Sequence, residues 1–364
     1  MSNMLSNHWL RIQGSLFPCL RETLGPLNEK QQQLIVVLEM SRIDEFVSVK
    51  VGGVGRPEDD RRSIAIAFVA KAVYNIPQTN MLIERLHSDI TLRRLCGWEK
   101  KSDIPSEATF SRAFAEFADI RLPEQVHEAL IDRHYSDRLV GHISRDSTEI
   151  ESREKPVKKP TSAIPVKKKR GRPKKGELRQ PKEPTRLEKQ VSQSLDEMIA
   201  DLPKSCDVGC KKNSKGFKES WIGYKFHGDV ADGGVFINCI LTSASLHDSQ
   251  VALPLAEMTN QRVTNLYDLM DAAYDSPIIR THSQSLGHVA LIDHNPRRKS
   301  EKIQMPPAQA TRYHERTTVE RSYGQLKDGF GARYVRVKGN PKVMTHLMFG
   351  VVALTVEQLI RMLC

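Results

Sequence analysis

The sequence lacks a cysteine framework. Its six cysteines, at 19, 96, 206, 210, 239 and 364, have none of the spacing of a disulfide-stapled secreted domain, so a reducing compartment is expected. Cys206 and Cys210 are spaced as two zinc ligands, but a structural site needs four and no second pair lies near. The N-terminus lacks a sustained apolar stretch, because Trp9, Arg11 and Gln13 interrupt residues 1–20, and no leader peptide is expected there. The most apolar run, residues 343–363, carries His346, Glu357, Gln358 and Arg361, which fits a buried amphipathic helix better than a membrane span. Together these absences point to a soluble, intracellular protein with no membrane contact.

Most of the chain also lacks an excess of either charge. The net charge is +11, and residues 151–190 supply +10 of it, with 15 Lys or Arg against 5 Asp or Glu. The same stretch holds six of the 19 prolines and the run KKKRGRPKK from Lys167 to Lys175. It has too few large apolar residues to offset the entropy of ordering, and a flexible, disordered basic insertion is expected over residues 151–195. Its centre, Arg170-Gly171-Arg172-Pro173, resembles an AT-hook, in which extended arginines enter the narrow minor groove of A·T-rich DNA. Lys168, Lys169, Arg170 and Arg172 are the candidate DNA contacts. Binding of this kind adds affinity that falls steeply with salt. A solubilising linker has the same composition. With its place soon after Asp146, the insertion is expected near any site built on that residue.

At 364 residues the chain has room for two domains, each with its own core. Helical patterns run over residues 61–73, 79–95 and 106–118, with Ser106 as N-cap of the third. Three helices with short turns fit a helix-turn-helix or a plain bundle, and residues 1–125 form a candidate DNA-binding domain. Arg93, Arg94, Lys100 and Lys101 are its candidate phosphate contacts or simply exposed charge. Further on, residues 220–230 and 235–242 read as a strand hairpin around Asp232-Gly233-Gly234. With a strand at 139–145 they make a three-stranded meander. Trp221 and Tyr224 suit base stacking or, more commonly, sheet packing. The pair His247-Asp248 suits capping of a helix over 249–258, or a place near metal ions. A helix at 277–285, a strand at 288–292 and a polar loop at 293–312 follow, and Gly329 and Gly331 are expected to end a helix over 313–328.

That last helix carries an unusual face. At roughly 100° per residue, Tyr313, Arg316, Glu320 and Lys327 fall within an arc of about 60°. A stripe of one acid, two cations and a phenol is no core face. Glu320 suits a hard divalent cation, and Arg316 and Lys327 suit phosphate. A solvated face with i,i+4 pairs fits the same pattern. Two short apolar segments add to it: residues 139–145 (LVGHISR) deliver Asp146, and residues 266–270 (LYDLM) deliver Asp271. Two strand-end aspartates and a helical glutamate form a ligand set that could hold two Mg²⁺ ions about 3.5–4 Å apart, as phosphodiester cleavage and transfer require. Neighbouring acids compete for these roles: Glu149 and Glu151 after Asp146, and Asp268 and Asp275 around Asp271. Asp268 is expected to point away from the face Asp271 uses, since they are three apart in a period of two.

The spacing Tyr313-x2-Arg316-x3-Glu320-x6-Lys327 resembles the YREK signature of the insertion-sequence-four family of DDE transposases. HISRDST around Asp146, MDAAYDS around Asp271 and RTTVERSYGQLK around Glu320 resemble its three acidic blocks, and residues 56–120 resemble its helical N-terminal domain. The resemblance implies an α/β fold, an RNase H-like mixed sheet flanked by helices over residues 138–364, with an all-α N-terminal domain. It implies Asp146, Asp271 and Glu320 as catalytic, metal-binding acids, and Tyr313, Arg316 and Lys327 as contacts to DNA at the element end. It further implies Mg²⁺, with Mn²⁺ as a substitute, cut-and-paste transposition, a homodimer on terminal inverted repeats and target DNA, and a prokaryotic cytoplasm close to the nucleoid. Only 49 residues separate Asp271 from Glu320, too few for the β-rich insertion of some relatives, so hairpin chemistry is less assured. A DNA-binding derivative without cleavage and a metal-dependent nuclease remain open alternatives.

Overall fold

Strand and helix alternate along the chain as its hydrophobic periods do, and they assemble around one mixed sheet. The computed structural model describes residues 27–48, 59–157, 183–212, 215–296 and 301–363. The basic run with Lys168, Lys169, Arg170 and Arg172 lies outside the described residues, as do Arg297, Arg298 and Lys299. The described strands are β1 (Leu139–Glu151), β2 (Asp207–Lys212), β3 (Lys218–Ala231), β4 (Phe236–Ser243), β5 (Thr264–Met270) and β6 (Val289–Ile292). β3 pairs antiparallel with β1, β2 and β4, whereas β1, β5 and β6 run parallel in sequence across the sheet. An antiparallel meander continued by two parallel strands, flanked by helices, is the mixed α/β arrangement of an RNase H-like fold.

Before β1 come α1 (Glu29–Ser41), α2 (Arg61–Val73), α3 (Thr79–Ser88), α4 (Ile90–Leu95), α5 (Glu107–Asp119) and α6 (Leu122–Tyr135). The helix expected over 79–95 is two helices. Asp89 takes extended backbone angles and accepts from the Leu92 N–H at 2.9 Å, which stops α3 and caps α4. Ser106 caps α5 as expected. Arg93, expected to meet phosphate, is buried and donates to the Leu86 carbonyl at 3.2 Å, and Arg94 pairs with Glu99. Both serve the fold.

After β1 come α7 (Arg186–Gln190), α8 (Leu195–Asp201), α9 (Ala252–Asn260), α10 (Pro277–Ser285), α11 (Pro307–Tyr313), α12 (Thr317–Gly329) and α13 (Asn340–Leu363). α7 falls inside the stretch expected to be disordered. Thr185 caps it, and Arg186 and Gln190 bond to Gln250, which fixes the returning end of the insertion. α13 is the one described helix apolar and long enough to cross a membrane, yet 89% of that apolar window is buried in the fold. It is not amphipathic as expected: Thr345, Thr355 and Gln358 are buried along with its apolar residues. It packs against α1, α2, α5, α6 and β4. Phe349 lies 5.7 Å from Phe68, which in turn lies 4.8 Å from Phe114. A single core therefore joins residues of the N-terminal helices to residues of the sheet.

Two buried histidines pin this core. His127 Nε2 lies 2.9 Å from the Phe236 carbonyl and His346 Nε2 lies 3.0 Å from that of Gly331. Burial pushes each pKa down to about 3. An unfolded histidine titrates near 6.5, so below about pH 6.5 the unfolded chain binds more protons, and stability present above that pH is lost as pH falls towards 3. At pH 5 each histidine accounts for about 2 kcal/mol. His127→Gln should therefore weaken the loss of unfolding free energy between pH 7.5 and 5 by about 2 kcal/mol relative to wild type in urea titrations. Other groups titrating in that window cancel in the difference, and equal slopes would refute the assignment.

Candidate active site

The parallel register of β1 with β5 matches Arg145 to Met270, so the next residues, Asp146 within β1 and Asp271 just past β5, stand side by side. β1 does not end at Arg145 as expected. It continues to Glu151 because β3 pairs with it throughout, and Asp146 sits in mid-strand opposite Gly228. Strand alternation sends Arg145 to the other face, where it is buried and holds Asp229 through two bonds of 2.7 and 2.6 Å. Asp271 lies just beyond β5 and caps the following turn by accepting from the Ala273 N–H at 2.9 Å.

The third acid comes from α12, which is locked over these strand positions. Tyr323 donates to the Asp146 carbonyl at 2.8 Å and Ser322 to that of Gly234 at 2.8 Å. Ser144 donates to the Glu315 carbonyl at 3.1 Å, and Tyr313 to that of Met270 at 3.1 Å. Gly228 makes room for this contact, since a Cβ there would stand 2.9 Å from Phe236 and 3.1 Å from the Tyr323 hydroxyl. The signature residues do not share one regular α-helix. α11 starts at Pro307, inside the expected loop, and a tighter turn, His314–Arg316, joins it to α12. The four residues nevertheless face the same sheet. Arg316 places one guanidinium nitrogen 3.3 Å from Asp146 Oδ2 and another 2.6 Å from Glu320 Oε1. Lys327 lies 3.4 Å from Glu149, which also pairs with Lys211 at 2.9 Å.

A fourth carboxylate reaches this place. His247 caps the turn that starts at Asp248, as expected of the pair, but Asp248 itself accepts from Ser147 Oγ at 2.8 Å and faces Lys225 at 3.0 Å. The His247-Asp248 motif marked the position; Lys225 and Tyr323, read as ordinary strand and helix residues, carried no signal of their own. The competing acids take other partners. Asp268 faces His288 at 3.3 Å inside the sheet, and Asp275 pairs with Arg280 at 2.9 Å. Trp221 and Tyr224 are buried sheet residues, with the Trp221 indole donating to the Tyr224 carbonyl. Cys206 is buried and Cys210 exposed.

Electrostatics follow from burial. Asp146 is pushed up to about 7, first by burial and then by the charges of Asp271 and Asp248, against the Ser147 N–H and Arg316. Asp271 is raised for the same reasons, burial first. Asp248 moves the other way: burial raises it, but His227, Lys225 and Ser147 together hold it down. Burial drops His227 to about 4, so near neutral pH Lys225 is its lasting cationic partner. Hard oxygen donors of this kind, with Asp146 and Asp271 raised first by burial and then by neighbouring carboxylates, suit a divalent cation. Among the described residues no three of His, Cys, Asp or Glu stand close enough to share one ion. The Arg316 guanidinium stands between two of them as a resident cation.

The basic insertion does not leave directly from this site. β1 carries the chain five residues, about 16 Å, past Asp146 before it departs. The returning end, through α7, is fastened to Gln250, two residues from Asp248.

Residues 194–356 match a family model described as the transposase DDE domain, and residues 21–116 match one described as a transposase domain. Together the matches support a DDE transposase, an enzyme acting on DNA in a class that generally uses divalent metal ions. The first match includes Asp271 and Glu320 and begins after Asp146. No curated protein and no solved structure matches the chain.

If Arg316 is a stand-in for a metal ion, its removal should favour the ion. Arg316→Ala is expected to bind Mn²⁺ about tenfold more tightly than wild type in calorimetric titration without DNA, equivalent to ~1.4 kcal/mol. Unchanged or weaker binding would contradict this.

Proposed function

We propose that the protein is a Mg²⁺-dependent transposase that cleaves phosphodiester bonds at the ends of an insertion element and joins the freed 3′-OH ends to target DNA. Asp146, Asp271 and Glu320 are its catalytic acids. The observation that carries this reading is the adjacency of Asp146 and Asp271 at the β1–β5 pairing, with Arg316 linking Asp146 to Glu320. The finer assignment, to the insertion-sequence-four group, rests on the YREK spacing.

A pair of divalent ions, when bound, supplies activation of the attacking oxygen and neutralisation of the leaving one. The chain supplies the rest. Asp146, Asp271 and Glu320 would hold the ions from three elements fixed by the Tyr323, Ser322 and Tyr313 hydrogen bonds. Arg316 exchanges its carboxylate partners for a DNA phosphate, to which its planar fork is matched. Tyr313, whose ring lies 6.0 Å from the Arg316 guanidinium, and Lys327 flank that phosphate. Two element ends must be paired for transfer, which calls for a homodimer on DNA. Lys168, Lys169, Arg170 and Arg172 add minor-groove affinity, and the cellular setting is the prokaryotic cytoplasm next to the nucleoid.

The decisive experiment uses duplex DNA carrying the inverted repeats that flank the coding region. Glu320→Gln and Asp146→Asn should each lower Mg²⁺- or Mn²⁺-dependent strand cleavage by roughly a thousandfold or more while DNA affinity stays within about twofold. Full cleavage by either variant would overturn the assignment. A wild type that binds but never cuts would favour a non-cleaving DNA binder, and cutting without joining would favour a nuclease.

Replacing residues 158–182 with a short Gly-Ser linker tests the insertion while sparing α7. DNA binding should weaken and its dependence on salt should become shallower by several units of the logarithmic slope. An unchanged salt series would rule out contact by this segment.

A further inference from the structure

The β2–β3 ribbon is a feature that neither the sequence patterns nor the proposed chemistry absorbs. β2 pairs with the first half of β3 in the register Val208↔Ile222, Cys210↔Ser220 and Lys212↔Lys218. All six of these side chains lie on one face, and all six are exposed. The opposite face is covered at its near end, where Trp221 packs over Gly209 and a Cβ would stand 2.3 Å from the indole, while Lys211 further out reaches Glu149. The exposed face is therefore a fixed surface about 20 Å long, held from behind.

Lys212 and Lys218 stand directly opposite each other at the far end of this face. Like charges in directly opposed positions destabilise a strand pair. Neither lysine has a carboxylate within ion-pair distance among the described residues. Two matched cations on a rigid exposed ribbon are complementary to a polyanion. The ribbon is also wired to the site. Lys211 shares Glu149 with Lys327, and Lys327 lies seven residues from Glu320 on α12, about 10 Å along the helix.

We propose that the exposed face of the β2–β3 ribbon is a DNA-contacting arm that seats duplex DNA beside the active site, with Lys212 and Lys218 on its phosphates. The proposal rests on the reading of the protein as an enzyme of DNA. A two-stranded ribbon has the dimensions that DNA grooves accept. The lysines set position and orientation without reading sequence, since phosphate contacts carry no base information. Val208 and Ile222 at the near end keep an apolar surface against sugar and base edges.

The test is the double variant Lys212→Ala/Lys218→Ala in the full chain, with a mixed-sequence duplex of about 30 base pairs as the probe. Loss of two phosphate contacts should reduce the slope of log affinity against log salt by about 2 and weaken binding about tenfold or more near 0.1 M salt. Thermal stability without DNA should hold or rise, because the opposed charges are gone; a purely structural pair would give the reverse. An unchanged slope with wild-type cleavage intact would overturn the arm and leave the enzymatic reading standing. A reduced slope in a protein whose wild type never cleaves would keep the arm and remove the transposase reading. A single Lys212→Arg variant, which retains the charge, should bind as wild type does, and a loss there would also overturn the proposal.

Discussion

Repulsion among buried carboxylates is the constraint on which this molecule turns. Asp146 within β1 and Asp271 just past β5 stand side by side, and Asp248 approaches from the end of β4, so three acids share a partly dehydrated corner. Left alone such a corner would protonate or splay apart. The protein balances it with cations from two sides. Lys225 is committed to Asp248, while Arg316 spans Asp146 and Glu320. The two differ in what they can leave. Lys225 also donates to the Leu246 carbonyl at 2.7 Å and stays within the fold. Arg316 sits at the joint between two helical segments, held by Asp146 and Glu320 and by the Tyr313 ring.

The scaffold beneath is built to resist that repulsion. Arg145 and Asp229 form a buried bidentate pair on the reverse face of the same strands, and Thr259 donates to Asp229 at 2.7 Å, tying in α9. A buried ion pair gains little over apolar packing, yet breaking one partner is costly, so it favours one register over others. Here that register is the one between β1 and β3, which keeps Asp146 on the face that meets Asp271. A slip of one residue between β1 and β3 would turn Arg145 to the site and Asp146 to the core. The ion pair thus specifies the active corner from behind.

How much of this is legible in the sequence depends on the range of the interaction that decides each element. Local signals read well: the Ser106 cap, the Pro277 start of α10 and the Asp232-Gly233-Gly234 turn all lie where pattern puts them. Asp89 splits an otherwise unbroken helical pattern through its own side chain, a capping signal that periodicity overrides on paper. The extent of β1 is invisible locally, because residues 146–151 are polar apart from Ile150 and become strand only through pairing with β3. The same is true of β2, whose sequence DVGCKK has no strand-like alternation of apolar residues. For the site, spacing alone gathers Tyr313, Arg316, Glu320 and Lys327. Of the companions, the His247-Asp248 pair marked Asp248, whereas nothing local marks Lys225 or the part Tyr323 plays within the signature helix.

The shared core bears on how such a protein handles DNA. The N-terminal helices were expected to form a domain with a core of its own. Phe68, Phe114 and Phe349 instead pack together, and α13 lies against both the helices and β4. Moving the helices as a body would expose that apolar surface at roughly 25 cal/mol per Å². The cheaper motions are at the periphery. Arg316 can change partners by a side-chain rotation, and a flat ribbon beside α12 can receive a duplex without moving. On the proposed reading, DNA meets a site whose frame is already set, and the rearrangement left to make is the exchange of Arg316 from carboxylate to phosphate.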